Sequence, residues 1–219
     1  MATILCFGDS NTWGISPTGN RYKETERWTT LLANHLVDKS AGQHTIVEAG
    51  QPNRTVVHNA PFSGDVVDSQ IQGKSGIRYL KPYLSEYQPD VVLIMLGTND
   101  LKKRYGLTAK EIEQGMHRLV KQTLNFDYAD ESSAAKVLII CPPPIYEVGA
   151  YVKMYAGAAK KSEELAKHYL QIANALDCYF FDAGLIIQSC SKEGIHWQVN
   201  QHRLLADALA KQITNILKG

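Results

Sequence analysis

Short apolar runs rich in Val, Ile and Phe recur along the chain, and segments with helical spacing fill the gaps between them. The runs are Thr3–Phe7, Thr45–Glu48, Asp90–Leu96, Lys136–Cys141 and Cys178–Phe181. Such short apolar runs read as strands buried on both faces, the mark of a parallel sheet covered by helices. The helical segments are Arg27–Val37, Ile77–Tyr87, Thr108–Leu124, Ala158–Leu176 and Asn200–Leu217. In the last, Leu204, Leu205, Ala208, Leu209, Ile213, Ile216 and Leu217 recur at helical spacing, with Asp207, Lys211 and Asn215 on the other side. Thr108 with Glu111 three residues on has the pattern of a capping box. Strict alternation of strand and helix predicts an α/β fold, a doubly wound three-layer sandwich with right-handed crossovers. A five-stranded parallel sheet of order 2-1-3-4-5 is expected from how often that arrangement occurs.

Composition narrows the possible roles. No repeat, low-complexity tract or linker divides the 219 residues, so one domain over 1–219 is expected. Lys plus Arg is 23 against 22 Asp plus Glu, which argues against nucleic acid or an anionic membrane as partner. The longest apolar run, Val91 to Leu96, is far short of the ~20 residues of a membrane helix, so no membrane insertion is expected. The segment Met1–Asp9 lacks the basic region of a signal peptide. Cys6, Cys141, Cys178 and Cys190 are scattered, with no CxxC pair. They read as reduced thiols in a cytoplasmic protein, and neither a disulfide nor a zinc framework is expected. Two stretches exceed what a minimal sandwich needs: Asn59–Lys74, polar, and Pro142–Tyr155, which opens on three prolines. Long connections of this kind are usually functional or interfacial.

Ligands of such folds bind beyond the carboxyl ends of the strands, so the residues that follow each strand matter most. The first strand is followed by Gly8-Asp9-Ser10-Asn11-Thr12-Trp13-Gly14 and the second by Gly50-Gln51-Pro52-Asn53-Arg54-Thr55. The third leads into Gly97-Thr98-Asn99-Asp100, and Glu193-Gly194-Ile195-His196-Trp197 precedes the final helix. One rim of the sheet would thus gather a serine, an asparagine, and a histidine with a neighbouring carboxylate. That set suits nucleophilic catalysis: Ser10 attacks, His196 takes and returns its proton, and a carboxylate orients the imidazole. Backbone N–H groups near Ser10 and Asn53, with the Asn99 amide, are candidate donors to an oxyanion.

In their order and spacing these blocks resemble the SGNH, or GDSL, hydrolases, and most nearly a bacterial subgroup of arylesterases and acyltransferases. The resemblance rests on Phe7 to Gly14, Ile94 to Lys102, Pro142 to Ile145, Phe180 to Gly184 and Gly194 to His196. It implies a flavodoxin-like fold and a serine esterase without cofactor or metal, acting on small-molecule short-chain acyl esters such as acetyl or aryl esters. It further implies a homo-oligomer and acyl transfer to alcohols beside hydrolysis. By the same resemblance Ser10 is the nucleophile, His196 the base, and Ser10, Asn53 and Asn99 the oxyanion donors. Two positions depart from the family pattern. Glu193 stands where an aspartate is usual; Asp182, or a Ser-His dyad, is the other reading of the acid. Asn53 stands where glycine is frequent, but only its N–H is needed, and asparagine tolerates left-handed turns.

Each residue also has a plainer reading. Ser10 could be a helix N-cap, Asn99-Asp100 a turn, and His196 a cap of the last helix. Trp13, Ile145, Tyr146, Ile195 and Trp197 are candidates to line the substrate pocket, or ordinary packing residues. Lys102-Lys103-Arg104 could steer anionic substrates or form a solvated face, and Arg54 could make an ion pair. His58 could touch substrate or a subunit; His35, His117 and His168 lie in helical segments, and His202 has no metal-ligand spacing. Acetyl-carbohydrate esterase and lysophospholipase or thioesterase activity are alternatives within the family. Outside it stand a flavodoxin-like phosphate or flavin binder, which leaves Asn99 and His196 without a role, and an inactive binding relative.

Overall fold

The computed structural model describes residues 1–38, 42–59, 74–129 and 134–218. In chain order its elements are β1 (Thr3–Gly8), α1 (Ser10–Trp13), α2 (Trp28–His35), β2 (Val37–Asp38), β3 (Gly42–Gln43), β4 (Thr45–Gly50), α3 (Gly76–Tyr87), β5 (Val91–Met95), α4 (Ala109–Leu124), β6 (Lys136–Cys141), α5 (Ala159–Leu176), β7 (Tyr179–Asp182) and α6 (Val199–Lys218). The main sheet is parallel throughout, in the order β4-β1-β5-β6-β7. Counted along the chain, that is the expected 2-1-3-4-5 arrangement.

Successive strand residues point to opposite faces, and here both faces are apolar. Leu5, Phe7, Val92, Ile94, Val137 and Ile139 pack with Leu80, Leu84, Ile112, Met116, Leu165 and Tyr169 from α3, α4 and α5. Ile4, Cys6, Val91, Leu93, Met95, Leu138 and Ile140 pack with Trp28, Leu32, Leu205, Leu209 and Ile213 from α2 and α6. Each fully buried Val, Leu, Ile, Phe or Met side chain among them contributes about 1.5–3 kcal/mol. The capping box is present: Thr108 Oγ1 accepts the Glu111 N–H and the Glu111 carboxylate accepts the Thr108 N–H. One expected helix is shorter than its periodicity suggests. α2 stops at His35, because Val37 pairs with Gln43 in a small antiparallel ribbon. Within Asn59–Lys74, residues 60–73 lie outside the described residues.

The parallel sheet brings the carboxyl ends of β1, β4 and β5 level, with Gly8 beside both Gly50 and Met95. α1 then packs directly on β4. A Cβ at Gly50 would fall 2.2 Å from the Trp13 backbone nitrogen, so only glycine fits there.

Candidate active site

Ser10 opens α1 immediately after β1. The Asp9 carboxylate accepts the Asn11 N–H at 2.9 Å and caps the turn. The first N–H groups of a helix have no intrahelical acceptor, and among the described residues the Ser10 and Asn53 N–H groups meet no backbone carbonyl. Backbone hydrogen bonding therefore leaves both as candidate donors. Asn53 sits at φ 65°, the left-handed conformation that asparagine tolerates better than other non-glycine residues.

The segment before α6 supplies the histidine. His196 Nε2 lies 3.1 Å from Ser10 Oγ, and Nδ1 lies 2.7 Å from Glu193 Oε1. The other Glu193 oxygen accepts the Ile195 N–H at 2.9 Å and the His196 N–H at 2.7 Å. The longer glutamate therefore curls back over its own turn, and both oxygens are engaged. Burial raises the Glu193 pKa, but the His196 ring and these two N–H groups outweigh it and hold the acid below its ordinary value. An ionised carboxylate only accepts, so Nδ1 carries the proton and Nε2 is left to accept from Ser10. The turn is locked from outside. Gly194 has φ 98°, its carbonyl accepts the Tyr146 N–H, and a Cβ on it would lie 2.1 Å from the Tyr146 oxygen. Asn11 Nδ2 reaches the Ile195 carbonyl at 3.3 Å and joins this turn to α1.

Asn99 closes the third side. Its Nδ2 donates to the Arg54 carbonyl at 3.1 Å and makes a long 3.4 Å contact with Asp9 Oδ2. A contact that long is weak, so one N–H can be redirected to an oxyanion. Behind it, burial raises the Asp9 pKa to about 6. Asp100, fully buried and also raised by burial, accepts the Val56 N–H and meets His58 Nδ1 at 3.0 Å. Ser10, Asn53, Asn99, Ile195 and His196 share the wall of a cleft of about 320 Å³ with Ile15, Gly19, Pro52, Lys102, Arg104, Tyr151, Met154 and Tyr155.

The family model described as GDSL-like lipase/acylhydrolase matches residues 4–209. The chain belongs to that family. The solved structures agree with this GDSL-like hydrolase along its whole length. A carbohydrate acetylesterase family member from Sinorhizobium meliloti is 29% identical with TM-score 0.88, covering 100% of both chains. Est24, a carbohydrate acetylesterase from the same organism, is 33% identical with TM-score 0.86, covering 99% of this chain and 100% of its own. The native M. smegmatis aryl esterase is 34% identical with TM-score 0.85, covering 98% and 99%. No curated protein matches the sequence. The GDSL-like hydrolase is a carboxylic ester hydrolase. Among its described residues no helix is long and apolar enough to cross a membrane.

Several residues expected to line the pocket of this GDSL-like hydrolase are elsewhere. Trp13 lies under the Arg21 guanidinium, 3.4 Å from its ring centroid, and Arg21 is paired with Glu48 at 2.5 Å. It is a platform for that ion pair and does not line the cleft. Trp197 is fully buried in the α2/α6 core, and Ile145, 3% exposed, sits in the opposite core. Tyr146 is 39% exposed and borders the Gly194 turn. Ile195 alone of the set reaches the cleft. Arg54 makes no ion pair among the described residues. Its guanidinium donates to the Gly8 and Ala49 carbonyls, stacks on Phe7, and ties β1 to β4. Asp182 caps the turn after β7 through the Gly184 N–H, and the carboxylate in contact with His196 is that of Glu193.

Sequence reasoning missed the wall built by Tyr151, Met154 and Tyr155. The length of Pro142–Tyr155 was the available signal. It also left Lys102 as one of a charged run, although this lysine is 4% exposed and donates to Asn53 Oδ1 at 2.7 Å.

Proposed function

We propose that the protein hydrolyses short-chain acyl esters, acetyl and aryl esters foremost, through an acyl-enzyme on Ser10. The observation that carries this reading is the unbroken line from Glu193 through His196 to Ser10 at the cleft wall. His196 Nε2 removes the hydroxyl proton as Ser10 Oγ attacks the ester carbonyl, and the same proton passes to the departing alcohol. Negative charge on the carbonyl oxygen is met by the Ser10 and Asn53 N–H groups and by Asn99 Nδ2. Water, activated by the same imidazole, then releases the acid. Glu193 keeps the ring in the productive tautomer and stabilises the imidazolium.

A carbohydrate is the alcohol portion favoured by likeness to the two S. meliloti carbohydrate acetylesterases. An alcohol in place of water at the second step makes the enzyme an acyltransferase. Assembly into a homo-oligomer fits the exposed Tyr146, Val152 and Met154 beside the cleft. Free cysteines, three of them buried, suit a reducing cytoplasm. The test is a series of 4-nitrophenyl esters from acetate to octanoate, with and without added alcohol. The expected result is a maximum at acetate or propionate, loss of activity in Ser10→Ala, and alkyl acetate formed when alcohol is present. Near-full acetate hydrolysis by Ser10→Ala would remove the proposal.

A further inference from the structure

The cleft carries positive charge that ester hydrolysis does not use. Lys102 and Arg104 both line it, and among the described residues that line it none is acidic. Among the described residues neither cation is within ion-pair distance of a carboxylate. Lys102 gives one N–H to Asn53 Oδ1, and an ammonium has three to give. Arg104 is exposed, and its guanidinium meets the adjacent Tyr105 ring at 5.0 Å and its hydroxyl at 3.4 Å. The acids whose charge reaches Lys102 are Asp9 and Asp100. Both are buried and already engaged, Asp9 by the Asn11 N–H and Asn99, Asp100 by the Val56 N–H and His58. Neither lines the cleft. Burial, with the positive charge of Arg104, brings the Lys102 pKa down to about 8; Lys74 acts in the same direction. A bound anion would relieve that repulsion.

We infer that the preferred substrates are esters carrying a carboxylate away from the scissile bond, seated against Arg104 with Lys102 deeper in the cleft. This rests on the Ser10 esterase reading and narrows its substrate class. The charge can sit on either side of the ester, on an acidic alcohol portion such as a uronate or on the far end of a dicarboxylic half-ester. Rejection of water is not required for the effect, since a charge-assisted hydrogen bond at a partly exposed site already gives about tenfold.

Two matched pairs test it at pH 7 in low salt. 3-Carboxyphenyl acetate is compared with 3-carbamoylphenyl acetate, and the 4-nitrophenyl half-ester of adipate with its terminal amide. The carboxylate member of at least one pair should have about tenfold higher kcat/KM, and the pair that responds names the side of the ester. The advantage should shrink in 0.5 M NaCl, as screening requires, and fall to near one in Arg104→Gln. Equal rates within both pairs, or an advantage that survives Arg104→Gln and salt, overturns the inference while leaving the esterase reading intact. No turnover of any member, or of 4-nitrophenyl acetate, sinks the esterase reading and the inference with it.

Discussion

His196 and His202 are both buried and close in sequence, yet they are wired in opposite ways. His196 is 7% exposed and has a partner on each ring nitrogen, Glu193 on Nδ1 and Ser10 on Nε2. His202 is fully buried in the α2/α6 core between the Tyr22 and Trp197 rings. Its Nδ1 accepts the Trp28 N–H at 3.3 Å, and its Nε2 has no hydrogen-bond partner among the described residues. Burial, aided by the nearby Arg27, lowers the His202 pKa to about 4. Burying a histidine does not equip it as a base; the role proposed for His196 rests on a fixed carboxylate on one nitrogen and a hydroxyl on the other.

Substitution separates the two most sharply. His196→Ala should lower kcat for 4-nitrophenyl acetate by about 10⁴-fold or more, and Ser10→Ala/His196→Ala should lose little beyond either alone, because the residues act as a unit. His202→Gln, which keeps an acceptor for Trp28, should stay within a few-fold of wild type in kcat. Comparable losses at both positions would mean that His196 acts through packing, as His202 does.

Glu193→Gln probes what makes His196 different. A glutamine can donate to Nδ1, which shifts the ring proton to Nε2 and leaves no acceptor for Ser10. The expected loss is about 10³-fold in kcat, with KM little changed. A loss under about tenfold would reassign the pair as a dyad, since Asp182 is occupied at the Gly184 turn.

The same contrast explains what was legible in the sequence. Val91 to Met95 announced a strand through unbroken apolarity, and α6 announced itself through its leucine and isoleucine spacing. Ser10, Asn99, Glu193 and His196 were legible because the residues after parallel strands must share one rim. Side-chain direction was not. Trp13 follows Ser10 by one helical turn and Trp197 adjoins His196, yet one turns to Arg21 and the other into the core. Sequence adjacency says nothing about which way a side chain leaves a loop. The Lys102–Asn53 contact joins residues far apart in the chain, so no local pattern could show it.

Asn99 extends the comparison from the proposed base to the negative charge its action would create. Asn99→Ala removes the only side-chain amide among the proposed oxyanion donors, and kcat should fall about 10²–10³-fold with KM nearly constant. A change confined to KM would instead make Asn99 a ground-state contact.

The smallest effect belongs to His202 and appears in stability. Its folded pKa, about 4, lies below the ordinary histidine value of 6.5. Between these values the unfolded chain binds more protons, so stability rises with pH there and is lost as pH falls toward 4. From pH 8 to pH 5 the loss from this residue is about 2 kcal/mol. Asp9 works the other way: its folded pKa, raised to about 6, makes stability fall as pH climbs through that range. Wild type alone reports the sum. The difference between wild type and His202→Gln isolates the histidine, because Asp9 is common to both. Urea unfolding at pH 8 and pH 5 should give a pH-dependent loss smaller by about 2 kcal/mol in the variant. An equal loss in the two proteins would mean that the buried ring does not resist protonation, and that the contrast with His196 lies in the catalytic contacts alone.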